Sequence, residues 1–175
     1  NYILQEGNIQ RDQVAAAQYT SHVVVHIVQT GGAIGYIYNH SDADIQNTIA
    51  YLNQVYNGSY PGTEGVGDIE IQFALAQRDP SCNPTNGINR VNGSGLTEYT
   101  TSGVRLSGAT GAAELDVKNL SRWDPSRYYN IWVVNMIDSK DGTSGSFVAG
   151  YAYFPNSPAN LDGTIMLATQ MRPAR

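Results

Sequence analysis

The apolar residues of this chain gather in short runs of strand length, separated by polar segments rich in glycine. Ser21–Thr30, with the sequence SHVVVHIVQT, is rich in β-branched residues and is followed by Gly31 and Gly32, so the pattern predicts a β-strand. Tyr129–Ile137 has the same character. Both alternate faces of these two segments are largely apolar, which is typical of central strands that are covered on both sides.

An amphipathic helix is predicted between these two strands, from Ser41 to Asn57. The hydroxyl of Ser41 can cap the helix, and Asp44 at the third position completes a capping box and favours the helix dipole. Asn57 and Gly58 end the helix. Apolar residues recur at the spacing of one helix face, which predicts a helix of about four turns lying across a sheet. This stripe consists of Ile45, Ile49, Leu52 and Tyr56.

The other segments add strands and one short helix. Asp68–Gln77 alternates apolar with polar residues and predicts a strand with one apolar face. The polar stretch Arg78–Gly111 predicts a long irregular region, and Ala112–Leu120 fits a short helix. Phe147–Phe154 and Gly163–Leu167 predict two further strands. This order of elements indicates an α/β fold.

Composition narrows the class of protein. The length of 175 residues suits a single domain with its own core. Only 14% of the residues are charged, whereas there are 18 glycines and 12 tyrosines, a composition common in secreted and cell-surface proteins. The net charge of −5 gives no reason to expect a nucleic-acid or anionic-membrane partner. The longest apolar run, Val23–Val28, is far shorter than the ~20 residues of a membrane span.

The two ends and the cysteine lead to further expectations. The chain begins with Asn1 rather than Met, which favours processing from a longer product. We interpret residues 1–20 as a polar arm or the remnant of a pro-segment, with a short helical pattern at Arg11–Tyr19, and residues 21–175 as a single domain. The one cysteine, Cys82, leaves two alternatives open: a disulfide to a partner outside this segment, or a free thiol in a loop.

Three histidines are the first candidates for a metal site. His22 and His26 have the H-x-x-x-H spacing that places two ligands on one face of a helix. The intervening valines favour a strand, on which four residues span roughly 13 Å, too far for two zinc bonds of about 2 Å. We therefore predict structural histidines in or beside the core. His40 precedes the helix cap and is predicted to lie on the surface.

The acidic turns and the serines are weaker candidates. Asp138 and Asp141 could hold calcium, but two carboxylates fall well short of a shell of about six to eight oxygens. A solvated turn is the preferred interpretation, and the same holds for the loop Asp79–Gly87. The sequence contains neither a G-x-S-x-G elbow nor a phosphate-binding glycine loop. No catalytic or metal-binding residue is therefore assigned.

Taken together, the segments resemble the N-terminal half of the pappalysin-type metzincin zinc proteases. The resemblance runs from Ser21 to about Leu167, and the order and spacing of its parts carry it. It implies a twisted, mostly parallel sheet of about five strands backed by helices, with one antiparallel edge strand that pairs with an extended substrate. That strand corresponds to Phe147–Phe154. The matching segments are SHVVVHIV, SDADIQNTIAYLNQVYNG, IEIQFALAQRDP, NPTNGINRV, YYNIWVVNM, GYAYFP and DGTIML.

The resemblance also implies a function. The substrate-binding candidates are the end of the edge strand: Gly150, Tyr151, Ala152, Tyr153 and Phe154. The zinc motif HExxHxxGxxH of the family does not occur in these 175 residues. We therefore expect the scaffold of a secreted zinc metalloendopeptidase that is inactive by itself. Zinc is expected only if a C-terminal half exists, and the end at Arg175 is compatible with cleavage.

Two alternatives of other classes remain open. The scaffold could be a non-catalytic extracellular module for adhesion or assembly, associating through exposed sheet edges. A third hypothesis is a polysaccharide-binding domain that uses its tyrosines. The gene sequence beyond Arg175 discriminates between the protease and the module: an HExxHxxGxxH motif within some tens of codons would favour the former, and a stop codon the latter.

Overall fold

The computed structural model describes residues 18–62 and 67–171. The sheet strands and their flanking elements are numbered in chain order. The strands are β1 (Tyr19–Gln29), β2 (Ile71–Leu75), β3 (Ile88–Asn92), β4 (Val104–Arg105), β5 (Ala112–Ala113), β6 (Tyr129–Val134), β7 (Gly150–Ala152) and β8 (Thr164–Leu167). The helices are α1 (Asp42–Tyr56), α2 (Tyr99–Ser102) and α3 (Glu114–Asn119), and a 3-10 turn covers Ala168–Gln170. The proposed arm at residues 1–20 and the helical pattern at Arg11–Tyr19 lie almost entirely outside the described residues.

Six strands form the main sheet in the order β2, β1, β6, β8, β7, with β3 also paired to β1. β2 pairs with the first part of β1 and β3 with the second part, so these two strands share one position beside it. All pairs in this sheet are parallel except β7 with β8. The predicted fold, a mostly parallel sheet of about five strands with one antiparallel edge strand, is confirmed.

The strand β3 corrects the prediction of an irregular region at Arg78–Gly111. After β2 the chain leaves the sheet in a loop and returns at Gly87, whose carbonyl accepts a hydrogen bond from the N–H of Val25 (2.9 Å). Gly87 has a φ of 73°, and a Cβ there would lie 2.7 Å from the backbone nitrogen of Ala76. This close approach requires glycine, and it allows β3 to continue the edge that β2 leaves.

The sheet is covered on both faces. Odd-numbered residues of β1, such as Val25, pack with α1 in one apolar cluster. The opposite face carries Trp132 and Ile165, which pack with residues of α2 and α3 in a second cluster. Double coverage explains why β1 and β6 are apolar on both faces, as their sequences predicted.

The helix α1 agrees with its sequence prediction in detail. Ser41 caps it, and its hydroxyl accepts from the N–H of Asp44 while the Asp44 carboxylate accepts from the Ser41 N–H. The helix ends at Tyr56 with Asn57 as its C-cap. Ile45 and Ile49 are buried against the sheet. The short helix predicted at Ala112–Leu120 is present as α3, Glu114–Asn119, but Ala112 and Ala113 form β5 instead.

Candidate functional site

The antiparallel strand β7 lies at one end of the main sheet. It has three residues, Gly150–Ala152, and is therefore shorter than the predicted Phe147–Phe154. Its partner is β8, with Tyr151 opposite Ile165 and Gly150 opposite Met166. Within residues 18–62 and 67–171, no strand pairs with its other side.

The hydrogen-bond pattern shows which backbone groups face outward. The N–H of Leu167 donates to the carbonyl of Ala149 (2.9 Å), two positions before Tyr151. In an antiparallel pair, bonded and non-bonded residues alternate, so Tyr151 directs its N–H and C=O toward β8. Gly150 and Ala152 direct theirs away from it. β7 thus presents two donors and two acceptors at the open edge, which an extended peptide could pair with.

The side chains of this segment divide between the two faces. Tyr151 belongs to the apolar cluster around Trp132, and the hydroxyl of Tyr153 donates to the Glu114 carboxylate on α3 (2.6 Å). Ala152 and Phe154 alternate with them, and Phe154 is 89% exposed. A fully exposed phenylalanine beside an open sheet edge is a suitable apolar contact for a peptide or protein.

A buried ion pair lies behind the edge strand. The ammonium of Lys118 is 2.7 Å from a carboxylate oxygen of Glu114, and the Lys118 side chain is fully buried. Burial lowers the pKa of Lys118, and the Glu114 carboxylate acts in the opposite direction. The hydrogen bond to Glu114, together with burial, raises the pKa of Tyr153 to about 12. Burial is the main cause that raises the pKa of Tyr151.

Sequence reasoning missed this ion pair as part of the site. Glu114 and Lys118 are four residues apart, which is the spacing of an ion pair on a helix surface. The spacing could have indicated the pair. It could not have indicated burial, because pairs of this spacing are usually exposed to solvent.

The three histidines lie in different environments. His22 and His26 are both on β1, as predicted, with His22 exposed and His26 buried. The Nε2–H of His26 donates to the side-chain oxygen of Asn130 (2.9 Å), and its Nδ1 is 3.3 Å from the Asn89 amide nitrogen. Both ring nitrogens are therefore engaged, and burial lowers the pKa of His26 to about 4.

The prediction that His40 lies on the surface is wrong. Its ring is buried, and Nε2 donates to the carbonyl of Ala168 (2.7 Å). His40 is buried because two distant segments of the same chain pack against it. Arg90 of β3 donates to the His40 carbonyl (2.6 Å), and Ala168 of the 3-10 turn lies against the ring. His40 thus links the start of α1 to the end of β8.

The acidic turns use their carboxylates within the fold. Asp138 accepts from the backbone N–H groups of Leu106, Ser107 and Gly108. Asp141 accepts from the N–H of Thr143 and from a tyrosine hydroxyl. These hydrogen bonds lower the pKa of both aspartates. Asp138 therefore joins its turn to the loop at residues 106–108, whereas Asp141 closes its own turn and binds the Tyr38 hydroxyl.

A zinc site does not fit the residues that the structure describes. In residues 18–62 and 67–171, no three His, Cys, Asp or Glu residues come together in a way that could hold a metal ion. The histidine donors are separated, because His26 and His40 are engaged in different parts of the core and His22 faces outward. Cys82 is exposed and unpaired in its loop. We therefore assign no metal ligand to this chain.

None of the described helices is long and apolar enough to cross a membrane.

Comparison with known proteins gave matches among solved structures only. No protein-family model and no curated protein sequence matches the chain. Mature mirolysin of Tannerella forsythia, solved in complex with a cleaved peptide, is 29% identical, with a TM-score of 0.62; the match covers 86% of this chain and 53% of that one. Mirolysin in complex with a compound designated 9 is 30% identical, with a TM-score of 0.60 and the same coverage.

A Tannerella forsythia promirolysin mutant is 32% identical, with a TM-score of 0.58; the match covers 87% of this chain and 47% of that one. The chain therefore spans about half the length of the solved structures that it matches. Over that half, the backbone of this chain matches theirs with TM-scores of 0.58 to 0.62 at 29–32% identity. The fold is metzincin-like.

Proposed function

We propose that this chain is the N-terminal scaffold and substrate-binding edge of a secreted zinc metalloendopeptidase related to mirolysin and the pappalysin-type metzincins. The observation that carries the proposal is the metzincin-like fold, shared with mirolysin at about 30% identity, together with the open antiparallel edge of β7. One of the mirolysin structures was solved with a cleaved peptide. A peptide-binding role for the same fold in this chain is therefore well supported.

The contribution of this chain is binding rather than bond cleavage. Neither zinc ligands nor a general base is assigned to the described residues, and HExxHxxGxxH is absent from the 175-residue sequence. The outward N–H and C=O groups of Gly150 and Ala152 would pair with the backbone of an extended substrate. Main-chain pairing gives affinity with little side-chain selectivity, and Phe154 adds an apolar contact.

The first test removes one outward donor. Proline at position 152 has no N–H, and the N–H of Ala152 makes no bond to β8, so Ala152→Pro should spare the sheet. Since one hydrogen bond contributes about 0.5–1.5 kcal/mol, we expect the affinity for an extended peptide to fall roughly three- to tenfold. The probe is a capped hexapeptide of alternating Thr and Val, called the Thr-Val hexapeptide below. Its titration against the ¹⁵N-labelled chain gives this affinity from changes in the amide chemical shifts of residues 149–154.

Ala152→Val is the matched control, because it retains the N–H and suits a strand. It should bind the hexapeptide as the unmodified chain does. Equal affinity of the proline and valine variants would contradict pairing at this edge.

The second test concerns the longer protein. We expect the gene to continue beyond Arg175 with HExxHxxGxxH, and the full product to contain stoichiometric zinc and to cleave casein in a chelator-sensitive manner. The 175 residues alone should show no such cleavage. A stop codon directly after Arg175, or a full product with chelator-insensitive activity, would contradict the metallopeptidase assignment.

The same open edge suits a second function, self-association as an extracellular assembly module. Exposed edge strands pair readily with a second copy, and Phe154 is available for such a contact. In that case sedimentation velocity would show dimers that Ala152→Pro dissociates and Ala152→Val does not. A monomer that binds the hexapeptide favours the protease scaffold instead.

A further inference from the structure

The edge strand β7 has few contacts of its own to fix its conformation. It has three residues, and among residues 18–62 and 67–171 it pairs with a single strand, β8. A short strand with one partner is held weakly by its ladder alone. A surface that accepts a peptide backbone needs a fixed direction of its N–H and C=O groups, because misdirected groups lose hydrogen-bond energy.

The helix α3 contacts this strand through a buried charge. One oxygen of the Glu114 carboxylate accepts from the Tyr153 hydroxyl (2.6 Å), and the other is 2.7 Å from the ammonium of Lys118. The same ammonium lies 5.1 Å from the ring centre of Tyr153 and 5.1 Å from that of Trp132. Tyr153, which directly follows β7, is thus held to the helix by a hydrogen bond and a cation–π contact.

Lys118 also holds the segment that joins β7 to β8. Its ammonium donates to the carbonyl of Leu161 (2.6 Å). One turn further on, Arg122 donates to the carbonyl of Asn160 (3.1 Å). Contacts from α3 and Arg122 therefore reach both Tyr153, next to β7, and the segment that joins β7 to β8. They lie on the face of the sheet opposite to the side chains of Ala152 and Phe154.

Such an arrangement is costly if stability is its only purpose. Burying a lysine and a glutamate carries a desolvation penalty that an apolar pair of similar size would avoid. One further polar atom beside the pair, the indole nitrogen of Trp132, is buried without a hydrogen-bond partner among the described residues. A polar cluster of this kind fixes geometry, because its directional bonds permit few alternative packings.

We propose that Glu114 and Lys118 are positioning residues that lock β7 in the conformation in which it accepts a peptide. The inference rests on the proposed function of the edge and names the part of the fold that maintains it. The pair acts through Tyr153 and the carbonyl of Leu161, and neither charge touches the peptide.

Hydrogen exchange on the 175-residue chain tests directly whether Glu114 and Lys118 hold β7 against β8. The amide of Leu167, which donates to Ala149, reports opening of β7 from β8, whereas the amide of Val25 in β1 reports global unfolding. We expect Lys118→Met to accelerate exchange at Leu167 roughly tenfold or more relative to Val25, because local opening then no longer breaks the ion pair. Glu114→Gln should act in the same direction.

Two controls match these changes in chemistry. Asp116→Asn removes a carboxylate from the exposed side of α3, and Lys140→Met removes an exposed lysine; both should leave the ratio of the two amides unchanged. Tyr153→Phe deletes only the hydroxyl bond to Glu114, so it remains informative if Lys118→Met does not fold, and it should accelerate Leu167 about threefold. Equal acceleration of Leu167 and Val25 in Glu114→Gln and Tyr153→Phe would overturn the proposal, since it indicates a general loss of stability.

Titration with the Thr-Val hexapeptide separates this proposal from the proposed function. If the unmodified chain binds the peptide, Glu114→Gln and Tyr153→Phe should weaken binding while Asp116→Asn does not; unchanged affinity would overturn the positioning role. If the unmodified chain does not bind, the substrate-edge function fails. The exchange ratio then decides by itself whether the pair locks β7.

Discussion

Replacing Gly103 with alanine should lower the free energy of unfolding by about 4 kcal/mol or more, through backbone strain and steric overlap together. Gly103 follows α2 with a φ of 69° and a ψ of −141°, a region that residues with a Cβ rarely adopt. A Cβ there would overlap the carbonyl group of Met136. The chain cannot move away easily, because the next residue, Val104, donates to the same carbonyl (2.9 Å). Urea unfolding followed by the fluorescence of Trp123 and Trp132 measures the loss.

Gly145→Ala is the matched control. Gly145 has a nearly equal φ of 68°, yet a Cβ there would meet no atom within 4 Å. That variant should lose only the cost of a left-handed residue, about 1–2 kcal/mol. The difference between the two variants reports chiefly the overlap of a Cβ at position 103 with Met136. Equal losses would show that the approach of these two segments is looser than the structure has it.

The elements that sequence predicts well are those whose burial is local. The apolar stripe of α1 and its capping box lie within 17 consecutive residues, and the structure has both. β1 and β6 are apolar on both faces because helices cover both faces of the sheet. The strand ends are less predictable: Asp68–Gln77 shortens to Ile71–Leu75, since only that part has a pairing partner on β1.

The predictions that failed, for β3 and for His40, concern residues whose structure depends on contacts with segments distant in sequence. β3 has the sequence INRVN, in which only Ile88 is buried, so its alternation is too weak to predict a strand. It forms because the second half of β1 offers a free edge. His40 is buried by segments that lie 50 and 128 positions away in sequence. No local pattern contains that information.

The candidate site also has one part that the sequence predicts and one part that it does not. The edge strand and its antiparallel direction followed from the resemblance to the metzincins, and the structure confirms the direction. The ion pair behind it did not, because the positions of Glu114 and Lys118 predict only a surface pair. The pair is in tertiary contact with Tyr153 and Leu161, which lie in the segment that joins β7 to β8.

Acid should destabilise the protein in a window set by His26, with a loss of about 3 kcal/mol between pH 6.5 and pH 4. Burial lowers the pKa of His26 from 6.5 to about 4 in the folded chain, while the unfolded chain retains the ordinary value. As the pH falls through this window, the unfolded state binds a proton that the folded state does not. The free energy of unfolding therefore falls by about 1.4 kcal/mol per pH unit. Above pH 6.5 both states are neutral and the effect vanishes.

Substitution of the two histidines of β1 separates this effect from other titrations. His26→Gln removes the titrating ring from beside Trp132, so the variant should be less stable at pH 7 but should lose little further between pH 6.5 and pH 4. His22→Gln changes an exposed ring on the same strand and should retain the full slope. The lowered pKa values of Asp138 and Asp141, whose ordinary value is 3.8, begin to reduce stability only below about pH 5, so the upper part of the window is free of their contribution. Urea midpoints at half-unit pH steps measure the slope, and an unchanged slope in His26→Gln would show that the acid sensitivity arises elsewhere.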